Sequence, residues 1–195
     1  MGNDAERYSP FLPLLTGLVP FYIMVTNTAG GLMAAGGFLV AYTIAFISAT
    51  YLPSFFNKSV IFIASILFAT IGVSLFASLV RVANPFLYER FFPVVYMACF
   101  SAPVYQAAGI AGSIIDRDRG LEQLAHGLGF AATIAAIGLL RELVTTGSVM
   151  ISLVPAEQSR TILAFFAQPS GAFILLALII AIGRTTARIL KRSTV

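Results

Sequence analysis

Long apolar runs alternate with short polar breaks along this chain, and the runs have the length of membrane spans. Six spans are predicted, at about 11–28, 31–52, 59–81, 91–112, 121–144 and 170–189, each near the ~20 residues that cross a hydrocarbon core. Polar residues punctuate them: Thr26-Asn27-Thr28, Pro53 with Asn57-Lys58, Arg81 to Asn84-Pro85, the charged loop Asp116-Arg117-Asp118-Arg119, and a hairpin holding Pro155, Glu157 and Arg160. The last span opens at Gln168-Pro169-Ser170-Gly171 and is followed by Lys191 and Arg192. The expected fold class is all-α integral membrane, one polytopic domain over 1–195.

Two of the spans carry interruptions. Gly17-Leu18-Val19-Pro20 lies in the first, and Cys99-Phe100-Ser101-Ala102-Pro103 in the fourth. A proline has no N–H and crowds the preceding turn, so both spans are expected to be broken helices whose freed carbonyls must be buried in protein. Shifting the chain by 90 residues superposes Gly37, Ala41, Thr43, Ile44, Ala45 and Ile47 on Gly127, Ala131, Thr133, Ile134, Ala135 and Ile137. Two repeats of three spans follow, at about 11–81 and 88–190, and an odd number of spans per repeat requires the second copy to be inverted. Broken helices one and four at matching places then point to a midplane site at Val19-Pro20 and Cys99 to Pro103. Gly36-Gly37, with Ala34, Ala35, Ala41 and Ala45, marks a face for close helix packing.

Composition strengthens the membrane assignment. The chain is 58% hydrophobic and 10% charged, where soluble domains carry about 25% charged residues. Its net charge of +4 reflects cations anchoring at a lipid surface; no basic cluster interleaved with aromatics points to nucleic acid. Met1 to Arg7 lacks the basic start of a removable signal, so the first span is expected to be retained. With six spans, Arg7, Lys58, Arg117, Arg119, Arg184, Arg188, Lys191 and Arg192 fall on one side, and Arg81, Arg90, Arg141 and Arg160 on the other. That asymmetry predicts both termini in the cytoplasm.

Candidate chemistry is sparse. Cys99 is the only cysteine, so it is either a small buried hydrophobe or one ligand of a site shared with another chain, since an iron-sulfur cluster usually takes four thiolates. His126, at the start of the fifth span beside the charged loop, is either a proton relay or, the favoured reading, a solvated histidine at the membrane interface. Arg141 and Glu142 belong either to an ion path or assembly contact, or to a helix end capped at the lipid surface. Thr26, Asn27 and Thr28 either coordinate an ion through unwound backbone or satisfy a helix break. A carrier for a small organic solute is disfavoured, because no charge falls at the centre of a span.

The stretch Gly17-Leu18-Val19-Pro20 followed by Val25-Thr26-Asn27 resembles the "GLCP…VTN" start of the E subunit of the Rnf electron-transport complex and the D subunit of the sodium-translocating NADH:quinone reductase, Nqr. His126 to Phe130, Gly138 to Leu143 with Arg141-Glu142, and Thr146-Gly147-Ser148 look like that family's fifth helix. Gln168-Pro169-Ser170-Gly171-Ala172-Phe173-Ile174 looks like its "PPGAF" opening of the sixth. The resemblance implies a subunit of an ion-translocating oxidoreductase complex, not catalytic alone, in the bacterial inner membrane. Its implied partners are a homologous subunit of inverted topology, of the Rnf A or Nqr E type, and flavin- and Fe-S-carrying subunits. It further implies an interface [2Fe-2S] cluster with Cys99 as the helix-four ligand. The helix-one ligand position falls on Val19, which cannot bind iron, and Phe100 to Gly109 departs from the family's usual segment. A divergent, cluster-free paralogue serving as structural subunit or small transporter is the alternative reading.

Overall fold

The structure is a computed structural model that describes residues 21, 23–51, 57–110, 120–147 and 164–168, together with 170, 171, 173, 174, 177, 178, 181 and 185. Within them the elements are all helices: α1 Thr28–Tyr51, α2 Lys58–Ala83, α3 Pro85–Ile110, α4 Gly120–Thr146 and the short turn α5 Ala164–Ala167. Three stretches, Thr28–Ser48, Ser59–Ala83 and Leu124–Thr146, are long and apolar enough to cross a membrane, which marks an integral membrane protein. Gly17 to Pro20, with Val19, the loop at 116–119 and most of the predicted first and sixth spans lie outside the described residues.

Helix α1 is the hub, packed against α2, α3 and α4. Its contacts fix the directions of the others. A Cβ on Gly31 would meet Ala135 and Gly138, and one on Gly127 would meet the Tyr42 ring, so α1 and α4 are antiparallel. Gly30 abuts Phe91 while Gly37 abuts Val95, so α1 and α3 run parallel. Helix α2 is antiparallel to α1, with Gly36 against Phe76 and a buried Ser48 to Ser65 hydroxyl hydrogen bond of 3.1 Å. Small residues let these backbones approach, and hydroxyls supply polar contacts between helices. Between α1, α3 and α4, the rings of Phe38, Tyr42, Tyr105 and Phe130 fill the core, with Phe38 and Phe130 stacked at 4.5 Å.

Local chemistry sets the helix ends. Asn84 closes α2 by donating its backbone N–H to the Val80 carbonyl at 2.7 Å, and opens α3 by accepting the Leu87 N–H on its side-chain oxygen at 3.2 Å. Pro85 then stands at the first helical position, where a missing N–H costs nothing. Gly147, at φ 71°, ends α4 in the left-handed conformation that glycine adopts without strain.

Three expectations are corrected. The fourth span is not broken at Cys99 to Pro103: α3 runs unbroken through both Pro93 and Pro103. Pro103 withholds one N–H from the Cys99 carbonyl, whereas unwinding the segment would release several backbone groups in apolar surroundings, so the helix tolerates the proline. It also begins at Pro85 rather than near 91, because the Asn84 cap recruits Phe86 to Arg90 into the helix. The gap between the first two predicted spans is displaced as well. Residues 25 to 27 are non-helical and α1 already begins at Thr28, since Asn27 caps there.

Candidate functional site

The described residues hold one polar cluster between segments distant in sequence, and it is built around the helix break at Val25 to Asn27. Before the break, the Val25 N–H donates to the Phe21 carbonyl at 2.8 Å; after it, α1 restarts. A break of this kind leaves carbonyls unpaired on one side and N–H groups on the other. Asn27 deals with one donor, its side-chain oxygen accepting the Gly30 N–H at 2.9 Å. The remaining needs are met from α4. Glu142 Oε2 accepts the Thr28 N–H at 2.7 Å. Arg141 Nη1 donates to the Val25 carbonyl at 2.7 Å, Nε to the Phe166 carbonyl at 2.9 Å and Nη2 to the Gln168 carbonyl at 3.1 Å.

The charges are placed where backbone dipoles favour them. The Glu142 carboxylate sits at the N-terminus of α1, and the Arg141 guanidinium sits on the carbonyl ends of two other segments. Arginine suits this place because its rigid planar fork reaches several acceptors at once. Only 1% of Arg141 and 7% of Glu142 is exposed. Burying both neighbours together keeps the cluster neutral, and hydrogen bonds offset the loss of water. Thr145 and Thr146 donate their hydroxyls to the Arg141 and Glu142 carbonyls, at 2.8 and 2.7 Å, bracing the last turn of α4.

Two glycines make the geometry possible. A Cβ on Gly138 would stand 2.7 Å from the Asn27 carbonyl oxygen and 3.0 Å from the Gly31 Cα. Only bare backbone lets the end of α4 come this near the break, one turn from Arg141.

Of the residues predicted from sequence, Asn27, Arg141 and Glu142 meet here, while Thr26 is exposed at the bend. The reading of Arg141 and Glu142 as a cap at the lipid surface is corrected: both are buried and bonded to other segments. Sequence reasoning missed the carbonyls of Val25, Phe166 and Gln168, because a backbone acceptor has no side-chain signature. Gly138, three residues before Arg141, was the available signal. His126 is exposed on α4.

Cys99 is elsewhere. It lies near the middle of α3, 8% exposed, within the core cluster, with its thiol facing Thr70 of α2. Measured along α1, about 10–13 residues separate its level from that of Arg141, roughly 15–20 Å. Among the described residues, no group of three or more His, Cys, Asp and Glu side chains lies together. With a single cysteine in the sequence, the chain alone does not fit a four-thiolate cluster and offers at most one ligand to it. Nearby, the Ser101 hydroxyl is buried without a hydrogen-bond partner among the described residues.

The fold and this cluster define a helical membrane protein in which a buried arginine and glutamate secure a break between helices. Compared with known proteins, the chain matches no family model, no curated protein and no solved structure.

Proposed function

We propose that the chain is a membrane subunit of an ion-translocating electron-transport complex of the Rnf/Nqr type. It would sit in the bacterial cytoplasmic membrane as a six-span protein with cytoplasmic termini, beside an inverted homologous subunit and flavin- and Fe-S-carrying subunits. The observation that carries this reading is the antiparallel packing of α1 on α4. These are the two helices whose sequences correspond under the 90-residue shift, and head-to-tail neighbours are what an inverted repeat produces. Burial of Arg141 supports the orientation too, for it removes one cation from the poorer side and leaves Arg81, Arg90 and Arg160 there.

Within such a complex a [2Fe-2S] cluster would supply a one-electron relay between the membrane faces. Cys99 would give it one thiolate, with the other ligands from the partner subunit. EPR spectra and iron and sulfide analysis of the purified complex, with and without Cys99→Ala, test that role. Loss of the cluster signal in the variant supports it; an unchanged signal removes Cys99 from the ligand set.

The cluster-free form of the same subunit is favoured by a separate observation: Cys99 packs into this chain's own core on an unbroken helix. In that form the chain is a structural subunit or small transporter. Absence of iron and sulfide from a purified, intact complex decides for it.

A further inference from the structure

Helices α2 and α3 form an outer face whose register two contacts fix. The Cys99 thiol faces Thr70, and the Arg81 guanidinium lies 5.6 Å over the Tyr88 ring. These contacts are equally spaced on the two antiparallel helices, so depths are read straight across. In steps of three and four, Glu89, Phe92, Tyr96 and Phe100 share one side of α3, and all four are exposed. Thr70, Ser74, Ser78 and Arg81 share one side of α2, exposed except for the half-buried Ser74. To within one residue, Phe100 stands level with Thr70, Tyr96 with Ser74, Phe92 with Ser78 and Glu89 with Arg81. Hydrocarbon alone is a poor cover for this face. Val95 abuts Gly37 near the middle of the Thr28–Ser48 span, which puts the neighbouring Tyr96 at mid-membrane, far from the interfaces where tyrosines usually sit. Among the described residues its hydroxyl makes no hydrogen bond, and lipid tails offer it none.

We propose that the α2–α3 face binds a second copy of this chain about a two-fold axis along the membrane normal. Such an axis preserves depth, so each side chain meets its level-mate on the other copy, and every contact occurs twice. The aromatic ridge of α3 then enters the hydroxyl-lined side of the second copy's α2, where small residues let helices approach. Tyr96 gains the second copy's Ser74 as a hydrogen-bond partner. Charge complementarity selects this occupant. Arg81 and Glu89 are exposed, and neither makes an ion pair among the described residues; a second α2–α3 face presents the opposite charge to each at the same depth, where the Ser59–Ala83 span ends. The four helices of the contact alternate in direction, the arrangement of an up-down bundle. The inference concerns association of the chain with itself and does not rest on the electron-transport reading.

Energy transfer between full-length chains tests it. Chains labelled at the N-terminus with donor or acceptor dye are reconstituted in phosphatidylcholine vesicles over a range of protein-to-lipid ratios. The native chain is expected to show transfer that saturates at two copies. Arg81→Glu and Glu89→Arg should each weaken association about tenfold, because each sets like charges against one another at both symmetric contacts. The double variant Arg81→Glu/Glu89→Arg exchanges the charges and should recover association to within about threefold of the native chain. A native chain that stays monomeric overturns the proposal, and the face then belongs to another membrane protein or to lipid. Single reversals that leave association unchanged, or a double variant that does not recover it, overturn it as well, since copies would then meet elsewhere. Should a reversal fail to fold, Arg81→Gln, Glu89→Gln and Ser74→Leu carry the test: each weakens association if the level-mates pair across copies, and association unchanged in all three overturns the proposal.

Discussion

The Cα of Gly31 in α1 and the backbone of Gly138 in α4 touch, so that a Cβ placed on Gly138 would lie 3.0 Å from that Cα. This contact sets how deeply the Arg141-Glu142 turn penetrates, and it makes both glycines structural determinants. Gly138→Ala must push back the Asn27 carbonyl or part the two helices. It is expected to destabilise the protein by about 1–3 kcal/mol, as overpacking of a tight interior does. Gly129→Ala, on the same helix with nothing within 4 Å of the new carbon, is expected to be neutral or to stabilise by up to about 1 kcal/mol through helix propensity. Thermal unfolding of the two variants in detergent separates packing from propensity.

Removing the Arg141 side chain leaves three carbonyls and the Glu142 carboxylate without their cation. Arg141→Ala is expected to cost about 3–5 kcal/mol, the range for breaking a buried charged pair from one side. Arg141→Lys should cost less, because an ammonium still neutralises Glu142 but does not span acceptors laid out for a planar fork. The order of unfolding midpoints, native above Lys above Ala, is the measurement. Equal midpoints for Lys and Ala would assign the effect to shape alone.

How much of this was legible in the sequence follows from which groups carry it. The spans at Thr28–Ser48, Ser59–Ala83 and Leu124–Thr146 were legible because hydropathy integrates over many residues, and α2, at Lys58–Ala83, begins and ends within about two residues of its expected limits. The polar partners Asn27, Arg141 and Glu142 were legible as charged or capping residues in apolar runs. Their meeting was not, since it joins a main-chain carbonyl to a side chain 116 positions away, and local pattern carries no such distance. Pro103 misled for the opposite reason. Its effect on an isolated helix is strong, but neighbouring α1 and α2 hold both flanks of α3, and tertiary packing overrides the local preference.

Cys99 is packed among core residues, so in the isolated chain its thiol should react slowly with a maleimide while the protein is folded and fully once it is denatured. Cys99→Ala removes one heavy atom from the core and is expected to cost about 0.5–1.5 kcal/mol, the scale of other single-atom deletions. Titration of the native and unfolded chain with a thiol reagent checks the first statement, and comparison of unfolding midpoints checks the second. Rapid labelling of the folded chain would place Cys99 on an open surface, where a partner's ligands could reach it directly.

Phe130 joins three helices through its ring. It stacks on Phe38 of α1 at 4.5 Å and lies 4.4 Å from Tyr105 of α3, tilted by 40°, while being 2% exposed. Deleting it opens a cavity at the centre of the α1, α3 and α4 packing, and Phe130→Ala is expected to cost about 3–5 kcal/mol. Part of that loss is specific to the aromatic pair. A double-mutant cycle with Phe130→Leu and Tyr105→Leu should show a coupling of about 0.5–1.5 kcal/mol beyond the area lost. Leu128, two residues away but 59% exposed on the opposite face, is the control: Leu128→Ala should stay within about 0.5 kcal/mol of the native protein. If Leu128→Ala instead matched Phe130→Ala, the outer face of α4 would itself be packed in the protein as purified, and the aromatic cluster would lose its place as the centre of the bundle.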